Sequence, residues 1–331
     1  MRFGAVFVAA AFLMCASMGT AVARQGRRAE GSEKANASAN CFDPSDPTEI
    51  RLWPGTAPGA AGNDPCRDIP YLKMYSPDDA HDTHRAAILI IPGGGYDRLS
   101  DAKEQAPVGK YFANTLRVKA FVLYYRLVQK DGTYRYPVPM WDGKRALNII
   151  HHDARELGVD PSRVGVFGFS AGGHLASTLA LHPDSDFELP QRDAIDADNT
   201  TPAFLGLGYP VISMLPSEYA SPNSLKHLLY GYDGQALDQL EHRLSGQENV
   251  KRDMPPVFLF ESLDDQRISP ENSVQFAAAL SANHVPADVH LFKHGEHGSG
   301  LSEGIPEEQA WPGMFQSWLN QLGFIGHAQR R

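Results

Sequence analysis

The sequence predicts an α/β fold built on a doubly wound, mostly parallel sheet. Short and wholly apolar runs recur along the chain, as is typical of parallel strands that are buried on both faces. Segments with apolar residues at helical spacing lie between these runs, and such alternation indicates βα units. The predicted strands are 86–91, 119–125, 164–168, 204–210, 256–261 and 287–292, and the predicted helices are 104–116, 141–157, 171–182, 270–282 and 309–322.

The elements follow one another in a regular order. The first strand, AAILII, ends at Pro-Gly-Gly-Gly and precedes a helix, and the second, KAFVLYY, precedes a long helix that ends at Gly158. The third, VGVFG, meets its helix at a serine between glycines, and FLGLGYP, PVFLFE and ADVHLF follow. Residues 211–255, between two of these strands, mix proline, glycine and charge. We expect them to form a small partial cap within a domain spanning 47–326, with a simple helical connection as the alternative.

Length and charge limit the classes of partner. A chain of 331 residues is long enough for one large α/β domain with a sizeable core. Its 30 Lys and Arg residues against 39 Asp and Glu residues give a formal net charge of −9 at pH 7. This charge disfavours nucleic acids and anionic membranes as partners.

The first 23 residues have the pattern of an export signal. Arg2 precedes an apolar stretch that runs to Met14, and small residues then lead to Ala21-Val22-Ala23, where we expect cleavage. The alternative, a membrane anchor, is disfavoured because the apolar run is too short to span a bilayer. Residues 24–46 are mainly polar and are predicted to be a disordered spacer. The mature protein is thus expected in the periplasm or outside the cell, free of the membrane.

The cysteines support the same interpretation. Cys15 leaves with the signal, so Cys41 and Cys66 reach an oxidising compartment and are expected to form a disulfide, with two free thiols as the alternative. Three cysteines, one of them in the signal, provide no spacing for a zinc site. The sequence therefore predicts no metal.

A strand–turn–helix motif carries the first chemical signal. Residues 168–172 read Gly-Phe-Ser-Ala-Gly and match G-x-S-x-G, with a predicted strand before Ser170 and a predicted helix after it. This context is typical of a nucleophile elbow, which exposes the serine at the N-terminus of a helix. A common short motif needs supporting residues, because a serine hydroxyl is a weak nucleophile without a base.

The supporting residues follow in the order that this architecture requires. Asp264 and Asp265 come directly after the strand 256–261, and His294 and His297 lie in a glycine-rich loop after the strand 287–292. Gly93–Gly95 follow the first strand and, with the N–H of Ala171, are candidate donors to an oxyanion. A phosphate loop is the alternative interpretation of these glycines, but no Gly-Lys-Ser/Thr follows them. Together these parts predict a serine hydrolase.

The motifs resemble those of a known family, the exported α/β-hydrolase-fold esterases grouped with acetylxylan and feruloyl esterases and often labelled xylanases. The markers lie between about residues 50 and 322 and include IRLWPGTAPGA, IPGGGYDRLSDAKE, YPVPMWDGKRAL, GVDPSRVGVFGFSAGGHLAS and MPPVFLFESLDDQRISPENS. The resemblance implies a triad of Ser170, Asp264 and His297, with Asp265 as the alternative acid. It also implies oxyanion donors at Gly94, Gly95 and Ala171, and no cofactor.

The resemblance further implies a secreted serine esterase that hydrolyses acetyl or feruloyl esters of carbohydrate. Two other activities remain as alternatives. A peptidase of the prolyl-peptidase type shares this layout but normally adds a propeller domain, for which 331 residues leave no room. A glycosidase, as the xylanase label suggests, would need two carboxylates that flank a sugar bond and would leave the serine motif unexplained.

Overall fold

The structure is a computed structural model that describes residues 40–78, 85–100, 103–197 and 200–326. The predicted export signal and residues 24–39 of the predicted spacer lie outside the described residues. From Cys41 onward the described residues belong to one compact unit.

Eight strands and seven α-helices are described in this unit. The strands are β1 (Glu49–Arg51), β2 (Tyr71–Tyr75), β3 (Ala87–Ile91), β4 (Lys119–Tyr124), β5 (Val164–Phe169), β6 (Leu205–Gly208), β7 (Val257–Ser262) and β8 (Ala287–Phe292). The helices are α1 (Ala106–Asn114), α2 (Val138–His152), α3 (Ser170–Leu181), α4 (Pro222–Leu228), α5 (Gly234–Arg243), α6 (Glu271–Ala282) and α7 (Trp311–Gln321).

The strands form a single mixed sheet in the order β1-β2-β4-β3-β5-β6-β7-β8. All pairings from β4 to β8 are parallel, while β1 and β2 are antiparallel at one edge. Every residue of β3, β5, β6 and β7 is buried, as their continuous apolar sequences require. The predicted doubly wound α/β fold is confirmed.

Two strands and one helix depart from the prediction. β1 and β2 were not predicted, because they are short and carry charged residues at the sheet edge. The ammonium group of Lys73 on β2 lies 3.1 Å from a carboxylate oxygen of Glu49 on β1 and also pairs with Asp46. α2 begins three residues before the predicted start and ends five residues before the predicted end.

The parallel strands bring distant parts of the chain to one edge. β3, β5, β7 and β8 all point the same way, so their carboxyl ends share that edge of the sheet. The residues that follow them are, in the same order, glycines 93–95, Ser170, the pair Asp264 and Asp265, and the loop of His294 and His297.

The segment 211–255 contributes to the surroundings of the same edge. It holds α4 and α5. α4 contacts the loop of glycines 93–95 after β3, here named the glycine loop, because His227 Nδ1 lies 3.1 Å from the carbonyl oxygen of Gly95. A disulfide joins Cys41 and Cys66.

No helix within the described ranges has the length and apolar content that a membrane crossing requires.

Candidate active site

Ser170 lies at a sharp corner between β5 and α3. Its φ of 51° is in the left-handed region, which non-glycine residues rarely adopt. The corner requires close packing, since a Cβ at Gly172 would lie 2.1 Å from the carbonyl oxygen of Ile91 on the neighbouring strand. Only glycine at position 172 lets α3 approach the sheet so closely. The serine side chain is therefore held at the mouth of a cavity and is 7% exposed.

His297 joins the serine to a carboxylate. Its Nε2 lies 2.9 Å from Ser170 Oγ, and its Nδ1 lies 2.7 Å from Asp265 Oδ2. A carboxylate only accepts hydrogen bonds, so in the neutral ring Nδ1 carries the proton and Nε2 is free to accept the serine hydroxyl. An imidazole in this tautomer is placed to take a proton from Ser170.

The expectation that Asp264 is the acid partner is corrected by the structure, which places Asp265 there. Asp264 points outward, where its Oδ2 lies 2.8 Å from Nδ1 of His294 and its Oδ1 accepts from the N–H of Gly295. This exposed interaction with His294, together with the hydrogen bond from Gly295, lowers the pKa of Asp264. His294 accordingly does not reach the serine.

A local hydrogen-bonding pattern selects Asp265. Its Oδ1 accepts from the N–H groups of Arg267 at 2.7 Å and Ile268 at 3.0 Å, closing the turn that follows β7. This turn directs the Asp265 side chain inward, where it is 1% exposed, whereas the preceding Asp264 side chain is 44% exposed. The turn geometry therefore decides which carboxylate meets His297.

The glycine loop approaches the serine closely. A Cβ at Gly93 would lie 2.7 Å from Cβ of Ser170, and Gly94 has a φ of 118° that favours glycine. Gly94 and Gly95 line the cavity at Ser170, and their N–H groups make no hydrogen bond within the described part of the chain. Ala171, second in α3, has one of the N–H groups that lack a partner within the helix. The structure thus brings together the predicted donors.

A buried histidine holds the next residue of this loop. The hydroxyl of Tyr96 lies 2.6 Å from Nδ1 of His174, whose Nε2 lies 2.8 Å from the carbonyl oxygen of Leu244. Since a carbonyl only accepts, Nε2 donates to Leu244 and Nδ1 accepts from Tyr96. Burial lowers the pKa of His174 to about 4, so the ring is neutral near pH 7. His174 is therefore a structural residue.

Glu104 is a buried carboxylic residue that sequence reasoning missed. Its Oε2 accepts from the N–H of Gly93 at 2.8 Å, and its Oε1 accepts from the hydroxyl of Tyr209 at 3.0 Å. Burial raises the pKa of Glu104, although these two hydrogen bonds and the nearby charge of His297 act in the opposite direction. Glu104 lines the same cavity as Ser170 and His297 and is 1% exposed.

Tyr209 links Glu104 to the loop of His294 and His297 after β8, here named the histidine loop. Its hydroxyl also accepts from the N–H of Gly300 at 2.9 Å, and its ring centroid lies 4.9 Å from that of His297. Glu104 and Tyr209 therefore link the glycine loop to the loop that carries the histidine.

A second buried carboxylic residue, Glu308, holds the histidine loop in place through hydrogen bonds. Its Oε2 accepts from the N–H of Glu296 at 2.8 Å and from the hydroxyl of Ser262 at 3.2 Å, while Oε1 accepts from Ser302 at 2.8 Å. A Cβ at Gly295 would lie 1.8 Å from Glu308 Oε2, so a larger residue at position 295 would displace this carboxylate. The geometry of the histidine loop depends on this contact.

The cavity beside Ser170 has a volume of about 530 Å³ and a polar lining. Beside the catalytic residues, its lining includes several polar and charged residues, namely Ser221, Asn223, Ser224, Arg98 and Arg267. Such a lining suits a ligand rich in hydroxyl groups. In the described ranges, no group of three or more His, Cys, Asp or Glu side chains is placed to hold a metal ion.

Comparison with known proteins places the chain among esterases. A family model described as BD-FAE matches residues 72–280. The chain is 30% identical over 241 residues to an acetylxylan esterase of Xylanibacter ruminicola, and 30% identical over 234 residues to endo-1,4-beta-xylanase B of Butyrivibrio fibrisolvens. These alignments cover 71% and 70% of this chain, but only 45% and 34% of the two relatives. The chain thus spans less than half the length of either curated relative.

A solved structure is similar over most of the chain. The acetyl ester-xyloside bifunctional hydrolase from Caldicellulosiruptor lactoaceticus matches with a TM-score of 0.71 at 34% identity, covering 82% of this chain and 97% of that one. This similarity confirms the α/β-hydrolase fold that the sequence motifs imply.

Two substitutions distinguish the neighbouring aspartates. We expect Asp265→Asn to lower kcat for 4-nitrophenyl acetate by about 10³- to 10⁴-fold, because an amide no longer selects the tautomer with a free Nε2. Asp264→Asn, the matched control, removes an exposed carboxylate that faces His294 and should leave kcat within about twofold of the parent value. Equal losses in both variants, measured by steady-state kinetics, would contradict the assignment of Asp265.

Glu104 is expected to support the reaction by positioning the loop of Gly93. Its two oxygens accept from the N–H of Gly93 and from the hydroxyl of Tyr209. Glu104→Gln keeps the size of the side chain but replaces one accepting oxygen with an amide NH2 group, so one of these two donors loses its acceptor. We expect kcat/KM for 4-nitrophenyl acetate to fall by about tenfold, measured by steady-state kinetics. An unchanged kcat/KM would contradict a positioning role for Glu104.

Proposed function

The chain belongs to the BD-FAE family of α/β-hydrolase esterases, and from this premise we propose that it is a serine esterase that hydrolyses acetyl or feruloyl esters of carbohydrate. The observation that carries the proposal is the unbroken series of contacts from Ser170 Oγ through the His297 ring to Asp265. Such a series converts a hydroxyl into a nucleophile.

The reaction would proceed in two acyl-transfer steps. Ser170 Oγ attacks the ester carbonyl carbon while Nε2 of His297 takes its proton, and Asp265 stabilises the imidazolium that forms. The tetrahedral intermediate then collapses, the carbon–oxygen bond to the alcohol breaks, and His297 returns the proton to the departing oxygen. Water attacks the acyl-enzyme by the same route and releases the acid and free Ser170.

The oxyanion of each tetrahedral intermediate needs donors that are already in place. The N–H groups of Gly94, Gly95 and Ala171 are proposed for this role because they border Ser170 and lack other partners in the described chain. Glu104 positions the loop, since it occupies the N–H of Gly93 and leaves the next two N–H groups for the substrate.

Glycoside hydrolysis is less well supported, although one relative is named a xylanase. That chemistry needs two carboxyl groups on either side of a glycosidic bond. Among the described residues that line the cavity, Glu104 alone is acidic, and both its oxygens already accept hydrogen bonds. Carbohydrate is retained as the proposed alcohol part because the lining is polar and because similar proteins are named for acetylxylan and an acetyl ester-xyloside.

The central test is release of acid from acylated oligosaccharides. Wild-type protein should release acetate or ferulate from acylated xylo-oligosaccharides, measured by chromatography, and Ser170→Ala should lower the rate by about 10⁴-fold or more because the nucleophile is lost. Ser162→Ala, a serine outside the cavity, is the control. Equal rates for wild type and Ser170→Ala would refute a serine esterase.

We also propose that the protein is exported and cleaved after Ala23. The supporting observations are the charged start, the apolar run that ends at Met14 and the small residues before the expected cleavage site. Mass spectrometry of protein recovered outside the cytoplasm should give a mature chain that begins at Arg24. Recovery of a chain that retains residues 1–23 from that fraction would contradict cleavage.

A further inference from the structure

A second cavity lies beside the catalytic one, and we propose that it binds a carboxylate-bearing sugar unit of an acylated oligosaccharide. The inference rests on the proposed function and adds a substrate class to it: the ester would belong to an acidic oligosaccharide, with the acyl group at Ser170 and the charged sugar in the second cavity.

The second cavity has a volume of about 500 Å³. Its lining includes Lys130, Lys226, Gln129 and Tyr230. This volume is comparable with that of the catalytic cavity, so each could hold a separate part of an extended ligand.

The two cavities share their walls. α4 supplies Asn223 to the catalytic cavity and His227 to the second one, and the loop after β3 supplies Gly95 to the first and Asp97 to the second. Two contacts join these elements at the boundary. His227 Nδ1 lies 3.1 Å from the carbonyl oxygen of Gly95, and Asn223 Nδ2 lies 3.4 Å from Asp97 Oδ1. The proposed oligosaccharide would cross this boundary, with one sugar unit on each side of it.

Charge identifies the class of ligand. Lys130 and Lys226 line the second cavity and Arg98 and Arg267 line the first, and none of the four forms an ion pair with another described residue. Asp97 is the one carboxylate among the described residues of the second lining, and it already contacts Asn223 and lies 3.7 Å from His227. Four cations without an ion-pair partner among the described residues, in a chain with net charge −9, favour an anionic ligand.

Tyr230 indicates that the ligand has a ring with an apolar face. It is one of four large hydrophobic side chains that are exposed in the described chain, with 38% of its surface accessible. Its ring packs against Gly132, where a Cβ would lie 2.2 Å from Cδ1, so the backbone supports the ring. A supported, exposed tyrosine combines an apolar surface with a polar hydroxyl, as a pyranose ring requires of its partner.

The test compares two substrates of equal length. Acetylated xylo-oligosaccharides that carry one glucuronic acid branch are compared with acetylated xylo-oligosaccharides that carry none, and 4-nitrophenyl acetate reports the chemistry alone. The double variant Lys130→Gln/Lys226→Gln should lower kcat/KM for the acidic oligosaccharide by about fivefold and leave the other two substrates unchanged. The wild-type preference for the acidic substrate should also decline as salt is added.

A matched control removes the same charge elsewhere. Lys110→Gln/Lys251→Gln changes two exposed lysines that line neither cavity, and its kcat/KM values should equal those of the wild type. Tyr230→Ala should lower kcat/KM for both oligosaccharides by about fivefold but not for 4-nitrophenyl acetate. The proposal is overturned if Lys130→Gln/Lys226→Gln, the cavity lysine variant, keeps the wild-type kcat/KM for the acidic oligosaccharide, or if its kcat/KM falls equally for the neutral and acidic oligosaccharides. An unchanged kcat/KM of Tyr230→Ala for both oligosaccharides would also overturn it.

A binding measurement separates this inference from the proposed function. Titration calorimetry with a glucuronic-acid-substituted xylo-oligosaccharide that carries no ester should show binding to the wild type that weakens about fivefold in the cavity lysine variant. Absence of wild-type binding overturns the subsite even if esters are hydrolysed. Binding without hydrolysis of any ester would instead refute the proposed esterase and retain the subsite.

Discussion

The close approach of α3 to the sheet is the constraint on which the rest of the site depends. Ser170 adopts a left-handed φ because β5 must turn at once into α3, and Gly172 permits the turn by leaving room for the carbonyl oxygen of Ile91. The same packing brings the glycine loop after β3 against the serine. Nucleophile and candidate oxyanion donors are therefore placed by one backbone arrangement rather than by separate side-chain contacts.

Buried carboxylic side chains complete the arrangement by holding loops through their N–H groups. Asp265 closes the turn after β7, Glu104 holds the glycine loop, and Glu308 holds the histidine loop. Each accepts at least one backbone hydrogen bond while its other oxygen contacts a side chain. Three loops that begin at three different strands thus keep fixed positions, which a reaction with a short proton path requires.

The two adjoining cavities connect this chemistry to the choice of substrate. The catalytic residues face a polar space, and α4 from segment 211–255 forms part of the wall between this space and the second cavity. The similarity to esterases supports the proposed ester on a sugar, and the lysines and arginines of the two linings support the proposed acidic sugar. The proposed reaction and the proposed substrate class therefore depend on different residues.

The sequence by itself determined the α/β class, the serine elbow, the glycine loop and the loop of His294 and His297, because each is a local pattern of apolar runs, glycines and turns, and the family resemblance selected His297. It could not choose between Asp264 and Asp265, since both follow β7 and only the hydrogen bonds of the folded turn direct one inward. The sequence also did not identify Glu104 as a residue of the site. The partner Tyr209 is 105 residues away along the chain, and only the folded sheet brings the two together.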